Sequence, residues 1–120
     1  MTKNEYNAYI EALEGQDYQF WGSWYNRPYY SKVIEYRDNE DGDNIAVCQL
    51  VFNIYSREYK CSGDVYYSIV PVVVVSRNTE ERLDLTISQP KQRSIEECER
   101  IAKEFMRWVD MNIKEIKDDD

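Results

Sequence analysis

Histidine is absent from the 120 residues of this sequence. Its absence removes the commonest general base and metal ligand and excludes Ser–His and Cys–His nucleophile pairs. Neither a Walker A sequence nor a G-x-G-x-x-G occurs, so the usual phosphate-binding loops are missing as well. Facing Asp and Glu pairs remain a catalytic possibility that a sequence does not resolve. We therefore predict a protein that is not an enzyme and that has no metal or cofactor.

Long apolar runs are also lacking. The longest, Ile69–Val75, is far shorter than the roughly 20 residues that a membrane-spanning helix needs. The first residues, MTKNEYNAYIEAL, show neither the basic nor the apolar region of a signal peptide. Cysteine is scarce and odd in number, since only Cys48, Cys61 and Cys98 occur. The odd number of cysteines predicts free thiols. Together with the short apolar runs and the missing signal peptide, it predicts no membrane association and a location in the cytoplasm of the producing or host cell.

Basic residues are fewer than acidic residues in this sequence. The chain has 15 Lys and Arg against 23 Asp and Glu, which gives a net charge of −8. The excess is spread evenly, because each successive block of thirty residues carries a net −2. Nucleic acids and anionic membranes attract proteins with a basic surface. The charge therefore predicts no direct binding to nucleic acid.

What the sequence does contain is a strongly alternating stretch, Asn44–Tyr55. Successive side chains of a strand point to opposite faces, so one face of this stretch is wholly apolar and the other is mixed. The apolar face comprises Ala46, Cys48, Leu50, Phe52 and Ile54. Such a pattern is typical of a central strand with one face on a core.

Three further segments are predicted strands: Tyr29–Arg37, with Tyr30, Ile34 and Tyr36 on one face, Asp64–Ser76 and Arg82–Ser88. Their short connections indicate an antiparallel meander. Pro71 lacks an N–H, and it predicts an edge, a bulge or a break at its position.

A helix is predicted at each end. The first is Thr2–Glu14, with Thr2 or Asn4 as its N-cap and Gly15 at its C-cap. The second begins after Ser94, which forms a capping box with Glu97, and continues to about Lys117. Its predicted apolar stripe is Ile95, Cys98, Ile101, Ala102, Phe105, Trp108, Val109, Asn112, Ile113 and Ile116. The predicted fold is a single α+β domain over residues 1–120, a four-stranded antiparallel β-meander flanked by an N-terminal helix and a long C-terminal helix, with residues 118–120 as a frayed acidic tail.

An aromatic stretch lies between the first helix and the first strand. Residues 17–30, DYQFWGSWYNRPYY, are half aromatic and are interrupted by Gly22 and Pro28. Tyr18–Trp21 is a candidate short strand. Trp, Tyr and Arg are enriched at interface hot spots, which makes Trp21, Trp24, Tyr25 and Arg27 candidate partner-binding residues. The alternative is that these rings cover one end of the core.

Carboxylates gather at one predicted hairpin. Glu35, Asp38, Glu40, Asp41 and Asp43 are candidate residues for binding a basic partner. The segment DNEDGD resembles a calcium loop, but Gly42 is fifth instead of sixth and position twelve is Gln49. We therefore predict a solvated hairpin turn without a metal.

These observations predict a non-enzymatic acidic protein–protein interaction module, an inhibitor or adaptor that binds a basic nucleic-acid-handling protein. In size and acidity alone, the chain is similar to the small acidic proteins by which phages and mobile elements block host nucleases, such as anti-CRISPR proteins. That resemblance implies a possible DNA mimic. The alternatives are a small-ligand-binding domain walled by the Tyr18–Tyr30 aromatics and the C-terminal helix, and a plain oligomerisation or scaffold domain.

Overall fold

The computed structural model describes residues 1–22, 28–76, 82–88 and 91–118. Its elements are α1 (Lys3–Gly15), β1 (Gln19–Trp21), β2 (Tyr29–Asp38), β3 (Asn44–Glu58), β4 (Val65–Ser76), β5 (Arg82–Thr86) and α2 (Ile95–Asp118). The strands form one antiparallel sheet in the order β1-β2-β3-β4-β5. The predicted α+β fold is confirmed, and the sheet has one strand more than predicted because Gln19–Trp21 pairs with β2.

Both helices pack on the face of the sheet that carries Phe52. Leu50 and Phe52 are completely buried, as the alternation in this strand predicted. The Phe52 ring lies 5.8 Å from the ring of Tyr9 in α1. Helix α2 reaches the same layer at Ala102, whose carbonyl oxygen is 3.8 Å from Cys48 Sγ. A two-layer α/β packing therefore buries one face of the sheet, as large apolar faces require.

The pairing of β2 with β3 contains a double irregularity that changes which residues face the helices. Val33 pairs with Gln49, Glu35 with Cys48, and Tyr36 with Ala46, so Ile34 and Val47 are each an extra residue in their strand. An extra residue reverses the alternation of the residues that follow it toward the hairpin turn.

The sequence-based assignment of side chains to the two faces of the sheet is therefore wrong between this irregularity and the hairpin turn. Tyr36 was predicted on the same face as Tyr30, but it is 57% exposed, whereas Tyr30 is buried. Val47 is buried, and Ile45 packs against the core although both were predicted on the mixed face. The bulged end of the hairpin therefore presents Ile45 and Arg37 to α2.

Helix α1 begins as its sequence predicts and ends one residue later. Thr2 is the N-cap and forms a capping box with Glu5. Gly15 is the last helical residue, not the C-cap, which is Gln16. The chain turns at Asp17, which has a left-handed φ of 66°. The N–H groups of Gln16 and Tyr18 both donate to the Leu13 carbonyl. This turn therefore supplies hydrogen-bond donors to one of the last carbonyl groups of the helix, which have no partner within the helix itself.

Helix α2 begins at the predicted cap, since the Glu97 N–H donates to Ser94 Oγ at 3.1 Å. The predicted stripe changes at two positions: Met106 takes the place of Trp108, and Asn112 is exposed, while the side chain of Ile116 lies outside the described residues. Met106 is buried, while Trp108 is 52% exposed and stacks on Phe105. The buried line follows Cys98, Ala102, Met106 and Val109, which is the i, i+4 and i+3 spacing of one helix face. Asp118, predicted in the acidic tail, is the last residue of α2, and residues 119–120 lie outside the described residues.

Pro71 lies inside β4, opposite Phe52 of β3. Its carbonyl oxygen accepts a hydrogen bond from the Ile87 N–H, just beyond the end of β5. In an antiparallel strand the nitrogen and the carbonyl of a residue point the same way, so the missing N–H faces away from β3. β4 pairs with β3 on one side and with β5 on the other, so Pro71 is not in an edge strand, and its missing N–H lies where the pairing with β5 ends after Val72 and Thr86.

Candidate protein-binding site

The acidic turn between β2 and β3 is held by its own backbone and by one side chain. Asn39 Oδ1 accepts hydrogen bonds from the N–H groups of Asp41 and Asp43, at 3.0 and 2.9 Å. The Asn39 N–H donates to the Asp43 carbonyl, and Gly42 takes a φ of 83° that favours glycine. The short polar side chain of Asn39 thus builds the turn that the sequence predicted.

Four carboxylates extend from this turn into solvent. Asp38, Glu40, Asp41 and Asp43 are all exposed. Among the described residues, no ion pair includes any of these four. Their charges are therefore available to a partner, and the backbone that carries them is fixed by the Asn39 hydrogen bonds.

Glu35, the fifth predicted acidic residue, is placed differently. Its carboxylate lies 2.5 Å from Arg37 Nε, so it is paired, unlike the four acids of the turn. The same guanidinium donates two hydrogen bonds to Asp110 of α2, at 2.8 and 2.6 Å. The hydrogen bonds to Asp110 raise the pKa of Arg37, and the charges of Asp110 and Glu35 raise it further. Arg37 therefore anchors the bulged hairpin to the helix with its positive charge already neutralised.

A groove of about 1010 Å³ lies between this hairpin end and α2. Its acidic rim is Asp38, Glu40 and Asp41. Its remaining lining is Arg37, Asn39, Ile45, Val47, Ser76, Met106, Asp110 and Met111. Met111 is 61% exposed beside this groove. The groove thus combines an apolar wall with unpaired carboxylates.

Sequence reasoning missed the apolar part of this groove. The spacing of Met106, four residues after Ala102 and three before Val109, was an available helical signal. Ile45 carried no such signal, because its face depends on the bulge. The pairing of Arg37 with Asp110 joins residues 73 positions apart and left no trace in either local pattern.

The predicted aromatic group lies elsewhere. Trp21 is 48% exposed and stacks on Tyr29, with 6.5 Å between ring centroids. Trp24, Tyr25 and Arg27 lie outside the described residues. Tyr29 begins β2 and Asp38 ends it. At about 3.3 Å per residue, the strand places Trp21 roughly 30 Å from the acidic turn. Trp21 and the acids are therefore separate surfaces.

Two rings of the aromatic stretch belong to the core. Tyr18 and Tyr30 are buried, and Tyr18 packs edge-on against Phe52 at 5.3 Å. Burial, and then the hydrogen bond that its hydroxyl donates to Glu99, raise the pKa of Tyr18. Burial, and then the hydrogen bond to Glu14, raise the pKa of Tyr30 to about 12. Tyr18 and Tyr30 are therefore core residues, each held by packing and by one hydrogen bond of its hydroxyl.

Two features are absent from the described part of the chain. Within it, no three Cys, Asp or Glu side chains are grouped so that they could hold a metal ion. None of the described helices has the length and apolar character to span a membrane. Comparison with protein-family models, with curated proteins and with solved structures gave no significant match to this chain.

Proposed function

We propose that this protein is a non-enzymatic interaction module that binds a basic surface of a protein partner. The observation that carries the proposal is the set of four exposed carboxylates, Asp38, Glu40, Asp41 and Asp43, on a hairpin turn whose backbone is fixed. A partner that handles nucleic acid has a basic groove of the matching sign, and the protein would then act as its inhibitor or adaptor, with the carboxylates in place of phosphates.

Rigidity is what distinguishes this turn from an ordinary solvated acidic loop. The two hydrogen bonds to Asn39 hold the backbone, and the Arg37–Asp110 pair holds the end of β2. Preorganised charges lose little conformational entropy when a partner binds them. The net charge of −8 adds a long-range attraction that speeds the encounter with a basic protein.

The test begins with a pull-down from native lysate, followed by binding kinetics with the purified partner. The variant carries Asp38→Asn, Glu40→Gln, Asp41→Asn and Asp43→Asn together. We expect a slower association rate and a weaker dependence on salt, because attraction between exposed charges is screened over about 8 Å at physiological salt.

The matched control neutralises four exposed acids away from the hairpin, with Glu11→Gln, Glu58→Gln, Asp64→Asn and Glu96→Gln, so the net charge changes equally. The control separates the local effect from the total charge. The proposal fails if the hairpin variant binds with unchanged affinity and salt dependence, if the protein turns over a small molecule, or if its only partner is a second copy of itself.

A further inference from the structure

We infer that the groove between the acidic turn and α2 binds a short basic segment of the partner that carries an apolar side chain next to its lysine or arginine residues. This inference rests on the proposed function and specifies the chemistry of the partner at the same site.

The acidic rim selects for positive charge. Asp38, Glu40 and Asp41 are exposed and have no cation within ion-pair distance among the described residues. Arg37, the only cation among the described residues that line the groove, is in contact with both Asp110 and Glu35. It therefore does not cancel the attraction of the rim for an incoming ammonium or guanidinium group.

The apolar wall of the groove favours a segment that also carries an apolar side chain. The accessible part of this wall is the half-buried Ile45 together with Met111, which exposes 61% of its surface; Val47 and Met106 also line the groove but are buried. Methionine is flexible and polarizable and adapts to different apolar partners. One apolar side chain of the segment would remove Met111 from water.

Two simpler occupants fit less well. A purely apolar ligand would remove water from the carboxylates without replacing their hydrogen bonds, which is costly. A purely polar basic tail would satisfy the rim and leave Met111 and Ile45 in water. The volume, about 1010 Å³, is at the upper end of ordinary ligand pockets and exceeds what one side chain occupies. A segment with both kinds of side chain uses both parts of the lining.

The test uses three short fluorescent peptides of equal length: one of lysine and leucine, one of lysine and serine, and one of leucine and serine. Binding to the intact protein is measured by fluorescence anisotropy at low and at physiological salt. We expect the lysine–leucine peptide to bind about tenfold tighter than either of the others, from burial of its apolar side chains together with the charge contacts.

Two variants separate the parts of the groove. Met111→Ser should weaken the lysine–leucine peptide at both salt concentrations and leave the lysine–serine peptide unchanged, because only the apolar contact is lost. The variant with Asp38→Asn, Glu40→Gln and Asp41→Asn should weaken both lysine peptides and flatten their salt dependence. Val65→Ser, at an exposed position at the other end of the sheet, is the control for apolar truncation.

The inference is overturned if the lysine–leucine and lysine–serine peptides bind equally well, or if Met111→Ser changes nothing. It is also overturned if no peptide binds while the identified partner still depends on the four hairpin acids. In each of these cases the proposed function stands. If the partner itself does not depend on the hairpin acids, the proposed function fails, and this inference fails with it.

Discussion

The guanidinium of Arg37 and the carboxylate of Asp110 meet through two parallel hydrogen bonds, at 2.8 and 2.6 Å. This pair joins the end of β2 to the second half of α2. It exists because the bulge at Ile34 turns Arg37 toward the helix. The acidic turn and the groove wall are both positioned by it, so its loss should affect the site as well as stability.

The first prediction concerns this pair. Both side chains are more than one third exposed, so solvent screens their attraction. We expect Arg37→Ala to lower the free energy of unfolding by about 1 kcal/mol, more than an ordinary surface pair because the contact is bidentate. A double-mutant cycle with Asp110→Asn, measured by urea unfolding, should give a coupling energy that shrinks as salt increases. Arg82→Ala is the control, because its pair with Asp84 is also bidentate but is more exposed and joins residues only two positions apart. Equal effects of the two arginine substitutions would contradict the special role of Arg37.

The second prediction concerns the centre of the core. Phe52 is completely buried and contacts the rings of both Tyr9 and Tyr18. Phe52→Ala should lower the free energy of unfolding by about 3–5 kcal/mol, which is a large share of a domain's stability. Phe20→Ala, at a ring that is 55% exposed, should cost much less in the same urea titration. A small loss at Phe52 would mean that the two-layer core is assigned wrongly.

The third prediction concerns the thiols. Cys48 and Cys98 are buried, Cys61 is exposed, and all three are free. Burial raises the pKa of Cys48 and of Cys98 to about 11, which suppresses their reactive thiolate forms. A thiol reagent should therefore label Cys61 alone in the native protein and all three cysteines in urea, as read by intact mass. Native Cys61→Ser protein should take up no label. A mass lower by two daltons without reductant would instead reveal a disulfide.

The fourth prediction concerns alkaline stability. Tyr30 has a pKa raised to about 12 in the folded protein, above its value in the unfolded chain. Its contribution is therefore complete below pH 10 and is lost as the pH rises from about 10 to 12, by at most about 1.4 kcal/mol per pH unit. Tyr30→Phe should remove this part of the pH dependence from urea unfolding curves. Tyr59→Phe, at a half-exposed ring, is the matched control. Identical pH profiles for Tyr30→Phe and wild type would refute the assignment.

Local patterns in the sequence were enough for the elements and their order. The caps Thr2 and Ser94 bond to backbone groups within one helical turn, so they can be predicted from neighbouring residues in the sequence. The alternation in β3 identified the buried face from Cys48 to Ile54 because that part of the strand is paired without interruption. The acidic turn was readable for the same reason, since Asn39 and Gly42 act on their immediate neighbours.

The candidate site was decided by tertiary structure. A period-two pattern assigns residues to faces only while the register holds, and one extra residue in each strand reverses the assignment. The sequence does not identify Ile34 and Val47 as the extra residues of β2 and β3, because apolar side chains occur on both faces of the strands near them. That reversal brings Arg37 to Asp110, removes Glu35 from the free acids and sets Ile45 beside Met106. The sequence by itself determined the charge of the hairpin turn, and only the packing of α2 against the bulged hairpin decided that an apolar groove lies next to it.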